Sequence, residues 1–215
     1  MDAPATTQQP VVNMLGDKVA LGPIDRQHLP LLFQWLNDFE VAYTLSQMRP
    51  LTIESLENSY DSSSKAADRV QFAMYERSTM RPIGGINLHD ISGRAATLAI
   101  VIGEKDCWGK GYGTEATRLV LDYGFNTLGL HNIMLTVHGF NQRGILAYLR
   151  AGFREIGRRR EVIHRDGRLH DLIYMDCLAE EFRGSILQQR TTAQTAGSPE
   201  ESVPPSNPAM DGAAD

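Results

Sequence analysis

Residues 103–125 read GEKDCWGKGYGTEATRLVLDYGF, with Gly109, Gly111 and Gly113 alternating with Trp108, Lys110 and Tyr112. Glycine loses more conformational freedom on folding than any other residue, so three in five positions need a reason. A glycine loop ahead of a helix leaves the amides of the first turn unpaired and aimed outward. The helix dipole adds roughly half a positive charge at that end. Lys110 brings a further charge. The chemistry is anion binding, and the expected anion is a phosphate. A P-loop needs GxxxxGK[ST], but Gly109-Lys110 is followed by Gly111, with no hydroxyl to hold Mg²⁺. The run GYGTEA (111–116) matches G-x-G-x-x-G/A, but six residues separate Ile102 from Gly109 where a dinucleotide fold turns tightly. The next strand ends TVHGFN, without the acid expected near a ribose.

The third class is coenzyme A, and here the motifs become specific. WGKGYGTEATRLVLDYGF, followed by GLHNIMLTVHGFNQRGILAYLRAGF, resembles the acetyl-CoA core of the GNAT N-acetyltransferase superfamily. The nearest branch holds ribosomal-protein N-terminal and spermidine acetyltransferases. The pattern Q/R-x-x-G-x-G/A falls on Trp108 to Gly113, with Trp108 replacing the Gln/Arg. The pattern N-x-R-x-I-x-x-Y-x-x-x-G-F is met by Asn141, Arg143, Ile145, Tyr148, Gly152 and Phe153. The resemblance covers residues 17 to 182. Singly, the glycines suit an ordinary loop, Tyr148 a core aromatic and Asn141 an N-cap; their order and spacing together favour the cofactor reading.

The resemblance implies an α/β (α+β) domain with a mixed, mostly antiparallel sheet. That sheet is splayed between two central parallel strands, and helices cover both faces. It implies that pantetheine pairs with backbone at Ile100, Val101 and Ile102 like an added strand. Amides of Trp108, Gly109, Lys110, Gly111, Tyr112, Gly113 and Thr114 would hold the pyrophosphate, with Asn141 and Arg143 on pantetheine and the nucleotide end. Tyr148 takes the general-acid position: a phenol of pKa about 10 is protonated at neutral pH and can donate to a leaving sulfur. Relatives often carry a Glu where this chain has Thr97. Substitute bases are Glu104, which we carry as the base candidate, His89-Asp90, His138 and His170-Asp171. A water chain would serve as well. His164, His170 and Asp171 lack metal-ligand spacing, so no metal is expected. The basic run RRRE (158–161) suits a solvated strand edge; Arg143 and Arg150 are better placed by motif for the 3′-phosphate.

The elements that must position these residues follow from periodicity. Strands are expected at 19–24, 70–76, 82–90, 95–103 and 132–139, with 95–103 the most apolar and central. Asp25 opens a helix presenting Leu29, Leu32, Phe33 and Leu36 on one face. Thr52 caps a second helix reaching about Tyr60. Helix 114–128 presents Ala116, Leu119, Val120, Tyr123 and Leu128, and a short helix ends at Gly152. Two closing strands join at Asp166-Gly167.

The chain has 215 residues, 42% hydrophobic content and a formal net charge of −5. One domain of about 13–183 is expected, between a disordered N-terminus (1–12) and a disordered acidic Pro/Ser/Ala-rich tail (184–215). The charge balance points to neither nucleic acid nor membrane as partner. Two cysteines without CxxC spacing, and no signal-peptide pattern, fit the cytoplasm. The resemblance also admits a homodimer.

Acceptor chemistry should be written where the first helices and the loop at 37–51 meet the final hairpin. Asp38 and Glu40 there would suit a cation, and Arg49 an anion; Tyr43 lies between them. The lead expectation is transfer of acetyl from acetyl-CoA to a primary amine of a small molecule, such as a polyamine, amino sugar, amino acid or antibiotic. The alternatives are a protein N-terminus, or a non-catalytic acyl-CoA-binding module.

Overall fold

The computed structural model describes residues 10–45 and 49–184. The expected disordered ends therefore fall mainly outside the described residues. One eight-stranded sheet runs in the order β1-β2-β3-β4-β5-β6-β8-β7. Its strands are β1 (Met14–Leu15), β2 (Val19–Pro23), β3 (Val70–Glu76), β4 (Pro82–Ser92), β5 (Ala95–Ile102), β6 (Asn132–His138), β7 (Arg154–Arg165) and β8 (Arg168–Leu178). Every neighbouring pair is antiparallel except β5 with β6.

That one parallel pair holds only over Ala95–Thr97 against Asn132–Met134. Beyond it, β5 stays paired with β4 as far as Ile102 and β6 with β8 as far as His138. The two strands therefore part, as expected, and leave open edges facing each other.

Among the described residues five α-helices fill the connections: α1 (Leu29–Asn37), α2 (Phe39–Tyr43), α3 (Ile53–Ser64), α4 (Tyr112–Asn126) and α5 (Gln142–Ala151). Asp25 and Thr52 cap as read from sequence, accepting from Gln27 N–H and Ser55 N–H. Asp25 first opens a 3₁₀ turn, which α1 continues. The short α2 was not foreseen; Asp38 caps it by accepting from Glu40 and Val41 amides.

The alternation of β-strand side chains gives the sheet two faces. One carries Ile86, Leu88, Leu98, Ile133, Leu135 and Met175, packed with Ala116, Leu119 and Val120 of α4. The other is covered by the first helices, where Leu29, Leu32, Trp35 and Val41 form a second core. Leu128 does not join the α4 stripe. The helix ends at Asn126, the chain turns at Gly129, and Leu130 is buried in its place while Leu128 is exposed. Among the described residues no helix is long and apolar enough to cross a membrane.

Candidate active site

The glycine loop sits at the mouth of the strand gap. Gly111 precedes α4 with φ +90°, a left-handed conformation that costs an L-residue about 1–2 kcal/mol. The first helical bond is donated by Glu115 N–H to the Gly111 carbonyl at 3.1 Å. Among the described residues the amides of Gly109 to Thr114 meet no protein acceptor, whereas that of Trp108, expected to join them, is already donated to the Lys105 carbonyl at 3.1 Å. They are the unpaired donors of a helix start, gathered for an anion.

The loop is tied from behind by residues the motif does not contain. The Glu115 carboxylate accepts from the amides of Asp17 and Lys18, the latter at 2.8 Å. Lys18 Nζ donates to the Lys110 carbonyl at 2.8 Å. Tyr112 turns its hydroxyl away to Glu76 at 2.7 Å, which raises its pKa to about 12. Thr114 Oγ1 donates to the Ala147 carbonyl at 3.4 Å, joining α4 to α5.

A cleft of about 840 Å³, including its open mouth, runs along the gap; Ile100–Ile102, Trp108, Gly109, Gly111–Thr114, Asn141, Arg143 and Tyr148 line it. The expected cofactor residues thus meet in one place, apart from the Lys110 side chain, which is exposed. Val41, Thr44, Leu45 and buried Cys107 complete the walls. Arg150 reaches the rim.

The ladder decides which groups of β5 face the gap. Gly103 N–H donates to the Ile83 carbonyl at 2.9 Å, so antiparallel alternation turns the backbone of Val101 toward β4 and that of Ile100 and Ile102 toward the gap. Val101 therefore offers the cleft its side chain, not its amide. The Ile102 carbonyl is taken by the Trp108 indole N–H at 2.9 Å. Ile100 N–H, Ile100 C=O and Ile102 N–H are left on the open edge, which is the edge an added strand needs.

Trp108, the departure from the motif, also stacks under Arg143: the guanidinium lies 3.9 Å from the ring centroid. Desolvation there lowers the Arg143 pKa. The stack holds a positive charge at the wall of the cleft. Asn141 caps α5, its side chain accepting from Gly144 N–H at 2.9 Å. It is a cap and a cleft residue at once.

Tyr148, on α5, packs its ring against Phe153 and lines the cleft. Among the described residues its hydroxyl has no hydrogen-bond partner. Desolvation pushes its pKa up to about 12, so the phenol stays protonated throughout the working range.

Glu104 does not enter the cleft. One oxygen accepts from the Trp35 indole at 3.0 Å, and the other pairs with Arg81 at 3.1 Å. Both oxygens are engaged, and Arg81 also pairs with Asp106, so the geometry suits a structural carboxylate and not a base. Thr97 stands where β5 and β6 cease to pair, opposite His89, whose ring bonds Asp90 at 2.9 Å. His138 is buried at the end of β6, and among the described residues its Nδ1 has no partner; burial first, then Arg165 and His170, lowers its pKa. Phe140 lies between the His138 and His170 rings, at 5.1 and 5.0 Å. The run 158–161 lies on the exposed β7 and is not part of the cleft.

The acceptor-side loop does meet the final hairpin. Tyr43 hydroxyl bonds the Asp166 carboxylate, and Arg165 Nη2 donates to the Leu45 carbonyl at 3.2 Å. Asp38 and Glu40 are both paired with Lys105, the former at 2.9 Å.

An unpaired glycine-rich helix start beside two parted parallel strands defines an acyl-CoA-handling transferase fold. The Acetyltransferase (GNAT) domain profile matches residues 18–154. The chain is 29% identical over 157 residues to human alpha/beta-tubulin-N-acetyltransferase 9, a match covering 66% of this chain and 75% of that one. It is 32% identical over 103 residues to YdaF of Bacillus subtilis (strain 168), a provisional ribosomal N-acetyltransferase; that match spans 47% of this chain and 56% of YdaF. The Vibrio cholerae spermidine N-acetyltransferase solved with CoA and spermine shares the fold, with TM-score 0.71, 24% identity, and coverage of 77% of this chain and 98% of that one. The chain belongs to the GNAT acetyltransferase family and is an acetyl-CoA-dependent N-acyltransferase.

Proposed function

We propose that the protein moves the acetyl group of acetyl-CoA directly to a primary amine of a small molecule, in a ternary complex. The observation that carries this reading is the meeting, in one cleft, of three features: unpaired amides 109–114, the open edge at Ile100 and Ile102, and the unbonded Tyr148 hydroxyl. The amides of Gly109 to Thr114, with Arg143 beside them, bind the diphosphate. The open edge of β5 holds pantetheine in register, and Asn141 steadies it. Ile100 N–H stabilises the charge developing on the thioester oxygen; such a donor is typically worth about 3 kcal/mol. Tyr148 O–H gives its proton to the departing sulfur.

No base is assigned to Glu104. The described residues lining the cleft include no carboxylate. A cleft with no carboxylate favours the neutral amine over the ammonium ion, because desolvation penalises the charged form. The acceptor proton leaves to solvent. Two buried free thiols, Cys107 and Cys177, support a reducing compartment, the cytoplasm.

A second reading, acetylation of a protein N-terminus, is supported by the similarity to the tubulin acetyltransferase. Thiol release from acetyl-CoA over a panel of small amines and N-terminal peptides tests both. Turnover of small amines supports the first reading, and turnover of peptides alone replaces it with the second. CoA binding without any turnover contradicts both.

A further inference from the structure

A second pocket, of about 830 Å³ including its mouth, lies between the first helices and the sheet. Leu45, Ile100 and Val101 line both it and the acyl cleft. A molecule in this pocket therefore reaches the very stretch of β5 at which acetyl transfer is placed above. Its walls are Leu29, Leu32, Leu36 and Leu56; no charged side chain lines it among the described residues. Asp25, Asp38, Glu54, Glu57 and Asp61 lie within two residues of its lining in sequence, yet none of them lines it, and Asp38 and Asp61 are held by Lys105 and Arg26. A polycation would leave its charges unpaired here, which is costly in an apolar site.

The floor contains a glycine that backbone geometry does not explain. Gly84 is forced: a Cβ there would lie 2.1 Å from the Val101 carbonyl oxygen. Its neighbour Gly85 is not. It has no positive φ, and a Cβ would sit 3.5 Å from the Phe72 carbonyl, an ordinary contact. Glycine inside a strand is destabilising relative to alanine, and it marks places where a ligand approaches the backbone. Gly85 lines the pocket, with Ala99 and the neutral amides of Gln71 and Asn87 nearby.

Resting on the reading above, we infer that this pocket receives the body of the acceptor: a primary amine on an apolar, uncharged frame, with Gly85 as the floor that sets how deep the frame can enter. The same lining disfavours polyamines.

Phenethylamine and spermidine are titrated calorimetrically into the full chain, with and without CoA, for the wild type, Gly85→Val and Gly85→Ala. Phenethylamine is expected to bind the wild type more tightly than spermidine does. Gly85→Val should weaken phenethylamine by about tenfold or more while leaving the CoA Kd within about twofold. Gly85→Ala, a smaller intrusion, should give a graded loss and decides the matter if the valine variant does not fold. Tighter binding of spermidine, or unchanged phenethylamine binding in the alanine and valine variants, overturns the inference. Absence of CoA binding to the wild type, with phenethylamine binding and its graded loss in the variants retained, counts against the transferase reading alone.

Discussion

Tyr148 and Glu104 divide the chemistry at the residue scale. A phenol held near pKa 12 keeps its proton, so kcat should show no descending limb up to about pH 10 from this group. On the proposed mechanism, replacing it with phenylalanine removes the proton donor and little else. Tyr148→Phe should lower kcat by about 10²-fold while CoA affinity stays within about twofold, as single-turnover and binding assays would register. Glu104 makes the opposite forecast. With its oxygens committed to Trp35 and Arg81, Glu104→Gln should keep kcat within about threefold, whereas loss of a working base would cost 10² or more. His138 is a stability residue on this account. Its folded pKa lies below the unfolded value, so the neutral ring is favoured in the fold. That contribution is present above about pH 6.5 and is lost as pH falls through the folded pKa. Thermal melts between pH 7.5 and 5.5 should fall in Tm, and His138→Gln should flatten the fall.

Elements carry the next level, above all the loop between β5 and α4. Gly111 needs its left-handed φ, and a side chain there would also approach Lys18 Nζ at 3.4 Å. Gly111→Ala should cost about 1–2 kcal/mol, a drop of several degrees in Tm, and weaken CoA binding; melts and titrations read both. This loop was legible in the sequence because its glycines, its helix and its preceding strand are contiguous. So were the capped starts of the 3₁₀ turn that leads into α1 and of α3, and the partners of α5. What supports the loop was not legible. Glu115 reaches back 97 residues to Lys18, and Lys18 reaches forward 92 to Lys110; neither spacing carries a local signal. The fate of Glu104 was hidden for the same reason, since Trp35 and Arg81 lie 69 and 23 residues away. Leu128 was misread because the helix stops at Asn126, two residues sooner than the apolar pattern does.

For the whole molecule, function follows from a sheet that fails to close. Three residue pairs join β5 to β6, and then β4 and β8 draw the strands to opposite sides. One face of the resulting gap is backed by α4 and α5, the other by the first helices strapped to the β7–β8 hairpin through Arg165. On the proposed reading the acyl donor and the amine arrive from opposite faces of one sheet. Hydrogen exchange measured with and without acetyl-CoA tests this arrangement most directly. The account predicts slowed exchange at the amides of Ile100, Ile102 and residues 109–114, with β7 unchanged. Saturating acetyl-CoA that leaves those amides exchanging as before, or protects some other surface instead, would contradict it.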